Sequence, residues 1–152
     1  MRIFAKIKNK NMIASYDLGV FRRVLHVAVS PTLEELQERF RFALNSDDCE
    51  DKYAELDKSV YNSLLKGHEA FVIRVVDKKD NLYGYLVHLD GNGCGNMSDF
   101  IDTITHESGH VMDDIFYDSK IKKIDTEISS LVLGYISGKV YKTFEEWKKK
   151  SE

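Results

Sequence analysis

The chain has 152 residues, of which 43% are hydrophobic and 31% charged, with a formal net charge of −3. That length suits one domain with a core of its own, and the apolar share excludes a disordered chain. Acidic and basic residues are interleaved, which excludes the basic footprint of a nucleic-acid binder.

The start, "MRIFAKIKNKNMIASYD", has charges too closely spaced for the apolar run of a signal peptide. Within it "RIFAKIK" alternates apolar and charged residues at period two, as a half-buried strand does. "VFRRVLHVAV" reads as a second strand, dense in β-branched residues. Ser30 is then placed to cap a helix with Pro31 at its first position, and Leu33, Leu36, Phe40 and Leu44 form its buried stripe. Tyr53, Leu56, Val60 and Leu64 mark a second helix that Gly67 can terminate. "AFVIRVV" and "LYGYLVHL" flank the polar turn "DKKDN" and predict a hairpin. From about Ser98 the pattern is helical to the end, where "TFEEWKKK" has the Thr-x-x-Glu signature of a short terminal helix. The late apolar stretch "ISSLVLGYISG" is too short to cross a bilayer, so no membrane association is expected. Cys49 and Cys94 give no disulfide framework and predict two reduced thiols in a cytoplasmic protein. Strands followed by helices make an α+β order, and with no repeat or linker the chain reads as a single domain over residues 1–152. Its parts are a sheet with N-terminal helices (1–96), a helix pair (97–142) and a C-terminal helix or tail (143–152).

The loop "DGNGCGN" fails as a calcium loop, because Ile101 stands at the twelfth position from Asp90 where Glu is required. It fails as a phosphate loop because no Gly-Lys-Ser/Thr follows. Chemistry concentrates instead in "ITHESGHVMDDIF", residues 104–116. On a helix His106 and His110 project from one face, about 6 Å apart at Cβ, and can share one metal ion. Glu107 lies about 100° round the helix, within reach of a zinc-activated water as its general base. Gly109 costs about 1 kcal/mol there relative to Ala, which suggests that another backbone approaches closely. "GHEAF" at 67–71 begins like the motif but lacks a second histidine.

Zinc requires a third protein ligand. A metzincin would place a histidine where Phe116 stands, which removes that class. Seventeen residues after His110, Glu127 opens the apolar helical segment "DTEISSLVLGYISGKVY". It has two readings: a zinc ligand, or a carboxylate favouring the helix N-terminus. Leu131, Gly134 and Gly138 share its face at 100° per residue, and two glycines there would let the helices close on each other, which favours the ligand.

"HESGH" followed by "DTEISSLVLGYISGKVY" resembles the small gluzincin-type zinc metallopeptidases found in phage and mobile elements, over roughly residues 97–142. The resemblance implies a minimal zincin: a small twisted, mainly antiparallel sheet whose edge strand holds an extended peptide, then an active-site helix and a glutamate helix. Carried over, His106, His110 and Glu127 match the metal ligands and Glu107 the base, with Zn2+ as cofactor and a peptide or protein as substrate. Leu131 departs from the Asp that larger gluzincins carry four residues after the ligand Glu; Asp113 is a possible substitute. The transition-state-stabilising residue is left open among Tyr117, Tyr135, Tyr141, His26 and His88, the two histidines reading first as core residues. "LYGYLVHL" is expected to be the substrate-pairing strand. A cytoplasmic zinc metallopeptidase is therefore expected, the alternative being a non-catalytic zincin-fold binding protein or inhibitor of a host factor. Oligomeric state is not legible.

Overall fold

The computed structural model describes residues 12–45, 52–67, 69–93, 97–121 and 126–151. Its centre is the expected hairpin, β5 (Ala70–Asp77) and β6 (Tyr83–Leu89), antiparallel in register from Ala70 opposite Leu89 to Val76 opposite Tyr83. The turn closes because Asp77 Oδ1 accepts from the Lys79 amide at 2.9 Å and Asn81 takes a φ of 57°, a left-handed conformation that asparagine tolerates. Around the hairpin lie β1 (Met12–Asp17), β2 (Val24–Val29), β3 (Phe40–Asn45) and β4 (Lys52–Ala54). The six-stranded sheet has the order β1-β2-β6-β5-β3-β4, and β2 with β6 is its parallel pair. Four α-helices are present among the described residues: α1 (Leu33–Arg39), α2 (Lys58–Leu65), α3 (Met97–Asp118) and α4 (Thr126–Ser151). The architecture is thus α+β with a mixed, mainly antiparallel sheet.

Strand alternation sends apolar side chains to both faces, and helices cover each. Leu25, Val27 and Val29 of β2 and Tyr85, Val87 and Leu89 of β6 pack under α3 and α4 with Phe100, Val111, Ile136 and Phe144. Ala28, Val75 and Leu86 face the other way, against Leu36, Leu56 and partly buried residues of α2. At about 25 cal/mol per Å2, burial of these side chains is the main favourable term in both clusters.

Several boundaries differ from expectation. "RIFAKIK" lies outside the described residues. "VFRRVLHVAV" divides: Gly19–Phe21 is a 3-10 turn, Arg22 has a φ of 52°, and the strand starts at Val24. Ser30 does not cap α1. Thr32 does, accepting from the Glu35 amide while Glu35 accepts from the Thr32 amide, a reciprocal arrangement that satisfies two free helix donors. The helix then stops at Arg39, and Phe40 and Leu44 belong to β3. Phe40, Phe42 and Leu44 also alternate at period two, and pairing of Phe40–Phe42 with Asp77–Val75 decides for the strand. Tyr53 lies in β4, while Asp57 caps α2 by accepting from the Val60 amide at 2.8 Å. "TFEEWKKK" is no separate helix. Thr143 sits inside α4, where its hydroxyl bonds to the Lys139 carbonyl and to Tyr16. No helix among the described residues is long and apolar enough to cross a membrane.

Candidate metal centre

The long helix α3 lies over β5 and β6, and α4 packs beside it over β2 and β1. Phe100, Ile104, Val111, Ile115 and Phe116 point α3 into the core. This orientation leaves His106 and His110 on an accessible flank, at a cleft of about 410 Å3 on the β5 side. The two imidazoles converge. Their Nε2 atoms lie 3.0 Å apart, with the rings nearly perpendicular at 88°. Two nitrogens on one tetrahedral zinc, each at 2.0–2.1 Å, stand about 3.3 Å apart. The pair therefore fits as two ligands of one ion with little adjustment. Glu107 lines the same cleft at 8% exposure, held back in its wall beside the histidines.

The other walls come from elements distant in sequence: Ser63 and Leu64 of α2, and Ala70, Phe71 and Val72 of β5. Phe71 is fixed from behind by stacking on His88 at 4.6 Å, and His88 Nε2 is bonded to the Tyr61 hydroxyl at 3.0 Å. β3 pairs with β5 only from Val75 to Asp77. Among the described residues, Ala70–Ile73 is thus paired on the β6 side alone, and this strand edge runs beside the histidines. The expected substrate strand, β6, cannot take that part, because β2 and β5 already occupy both of its edges.

Asp114, four residues after His110, is the remaining polar residue of the cleft. Burial holds its carboxyl above the ordinary range, and the Arg74 guanidinium at 3.0 Å opposes that. Arg74 also makes two bonds of 3.2 Å to Asp118, which accepts a further one of 2.6 Å from the Tyr85 hydroxyl. This network fixes the end of α3 to the sheet. Asp113, weighed from sequence as an orienting carboxylate, is exposed and does not line the cleft.

Glu127 is not brought into the cleft. It lies in the first turn of α4, exposed, on a face that also carries Leu131 (69% exposed), Gly134 and Gly138. A Cβ added at either glycine would meet nothing within 4 Å, so these glycines do not serve close helix packing. The same holds for Gly109, where no other backbone approaches. Among the described residues, no group of three His, Cys, Asp or Glu side chains converges as a full ligand set. Of the residues weighed for transition-state stabilisation, none lines the cleft. Tyr117 and Tyr135 are exposed, Tyr141 bonds to Glu145, and His26 and His88 are buried on the α1–α2 side of the sheet. The cleft walls and Asp114 were missed from sequence. The one local signal was that Asp114 repeats the four-residue step from His106 to His110.

No family model, curated protein or solved structure matches the chain.

Proposed function

We propose that this chain is a cytoplasmic zinc-dependent metallopeptidase whose ion is held by His106 and His110, with Glu107 as general base. The observation that carries this reading is the convergence of the two Nε2 atoms at 3.0 Å in the cleft that Glu107 and the Ala70–Ile73 edge of β5 share. Glu127 is the third ligand that the zincin resemblance implies, and it does not line the cleft. A zinc ion bound there supplies a Lewis acid for the scissile carbonyl and lowers the pKa of water toward ~7.

The chain's own residues do the rest. The Ala70–Ile73 edge, which among the described residues pairs with β6 alone, offers backbone groups to an extended peptide, which aligns it by main-chain hydrogen bonds. Leu64, Phe71 and Val72 shield that peptide from water, which strengthens polar interactions at the reacting carbonyl. The Glu107 carboxylate accepts a proton from the attacking water and returns it to the leaving amine, a role typically worth 10²–10⁴ in rate.

Glu107→Gln separates this reading from a purely structural or binding role. The expected result is unchanged zinc content with hydrolysis of an unfolded polypeptide reduced by at least 100-fold. Hydrolysis that survives the substitution in zinc-loaded protein overturns the assignment.

A further inference from the structure

Resting on the reading of the cleft as a peptide site, we propose that Asp114 makes it selective for an extended peptide with a lysine or arginine side chain near the residue opposite His110. The argument starts from how charge is shared around Arg74. Asp118 engages Arg74 through both Nε and Nη2, each at 3.2 Å, and also receives the Tyr85 hydroxyl. Asp114 shares the Nη2 nitrogen, at 3.0 Å. One guanidinium thus serves two carboxylates, and these three groups together carry one net negative charge. Of the two, Asp114 is the one that lines the cleft, with its side chain 28% exposed.

Position follows from the direction of the elements. Ala70 and Val72 share the cleft with the histidines, while Arg74 meets Asp114 and Asp118, so β5 and α3 run the same way along it. Four helical residues rise about 6 Å, which is about two residues of extended chain. A peptide on the β5 edge therefore brings a side chain toward Asp114 about two residues from the one opposite His110. Among the described residues, the cleft wall includes no lysine or arginine, and its other carboxylate is Glu107. Beside Asp114 an acidic side chain would meet like charge. A basic side chain can lay its aliphatic stem on Val72 and place its head at the carboxylate, as long cationic side chains do.

The test uses dye-labelled ten-residue alanine–serine peptides with one Lys, Gln or Glu moved through the positions. Binding to the full-length Glu107→Gln chain with equimolar zinc is read by anisotropy, alone and with Asp114→Asn or Asp114→Glu added. We expect the best Lys peptide to bind at least tenfold tighter than its Glu counterpart. Asp114→Asn should bring the two within threefold and Asp114→Glu should restore the difference. The preference should also weaken as salt is raised. Lys and Glu peptides binding alike in the starting protein would overturn the proposal, as would a preference that survives Asp114→Asn or no peptide binding at all. Selective binding without hydrolysis by the native sequence would instead end the peptidase reading and leave Asp114's role standing.

Discussion

Lowering the pH from 7.5 to 5 should remove about 4 kcal/mol of stability through two buried histidines. His26 and His88 are 1% and 3% exposed. Burial pushes both imidazoles from 6.5 down to about 4. At His26 the Arg39 charge acts in the same sense and Asp77 opposes it; at His88 Asp90 opposes it. The His26 ring bonds to Ser15 at 2.7 Å and the His88 ring to Tyr61 at 3.0 Å, and among the described residues His26 Nε2 is buried without a partner. Both rings therefore stay neutral in the fold, whereas in the unfolded chain they take up protons below about 6.5. The unfolded state then binds more protons, so stability is full above 6.5 and is lost as pH falls from 6.5 toward 4. At pH 5 the loss is about 2 kcal/mol for each histidine, while ordinary carboxylates are still mostly ionised. That is a large part of the 5–15 kcal/mol typical of a domain. Urea unfolding with a chelator present, followed through Trp147, gives the free energy at each pH. His88→Gln should cut the pH dependence by about half. A stability unchanged between pH 7.5 and 5, or a slope unaffected by the substitution, would refute the reasoning.

Two glycines should respond in opposite ways to alanine. A methyl at Gly84 would run into the Val24 carbonyl in the parallel β2–β6 ladder, so Gly84→Ala should lower stability in thermal unfolding by about 1–3 kcal/mol. Gly109→Ala meets nothing and should raise stability by up to about 1 kcal/mol without loss of zinc. Glu127→Ala tests the third ligand. Its exposed place on α4 predicts unchanged zinc affinity by competition with a chromogenic chelator, and a marked loss would mean that the start of α4 moves onto the ion.

What could be read from sequence was whatever a single element encodes. The β5–β6 hairpin was legible because "DKKDN" carries its own turn chemistry, and α3 because His106 and His110 share its apolar four-residue rhythm. The switch from α1 to β3 was not, since Leu36, Phe40 and Leu44 satisfy a helix while Phe40, Phe42 and Leu44 satisfy a strand, and only pairing with β5 separates them. The same limit applies to the cleft. Leu64, Phe71 and Asp114 meet because of sheet order and helix docking, and no local pattern announces that. It also explains why sequence points to β6 as the substrate strand: closeness in sequence to α3 says nothing about which strand keeps a free edge. The glycines at 134 and 138 misled for a related reason, because a shared helical face can as well be the solvent face.

The central claim is that His106 and His110 hold one zinc ion, and elemental analysis of the purified chain beside His110→Ala tests it most directly. The account predicts one zinc per chain, lost in the variant while its fold, read by circular dichroism, is kept. A chain that takes up no zinc after the metal is supplied, or a His110→Ala variant that holds it as tightly, would contradict it.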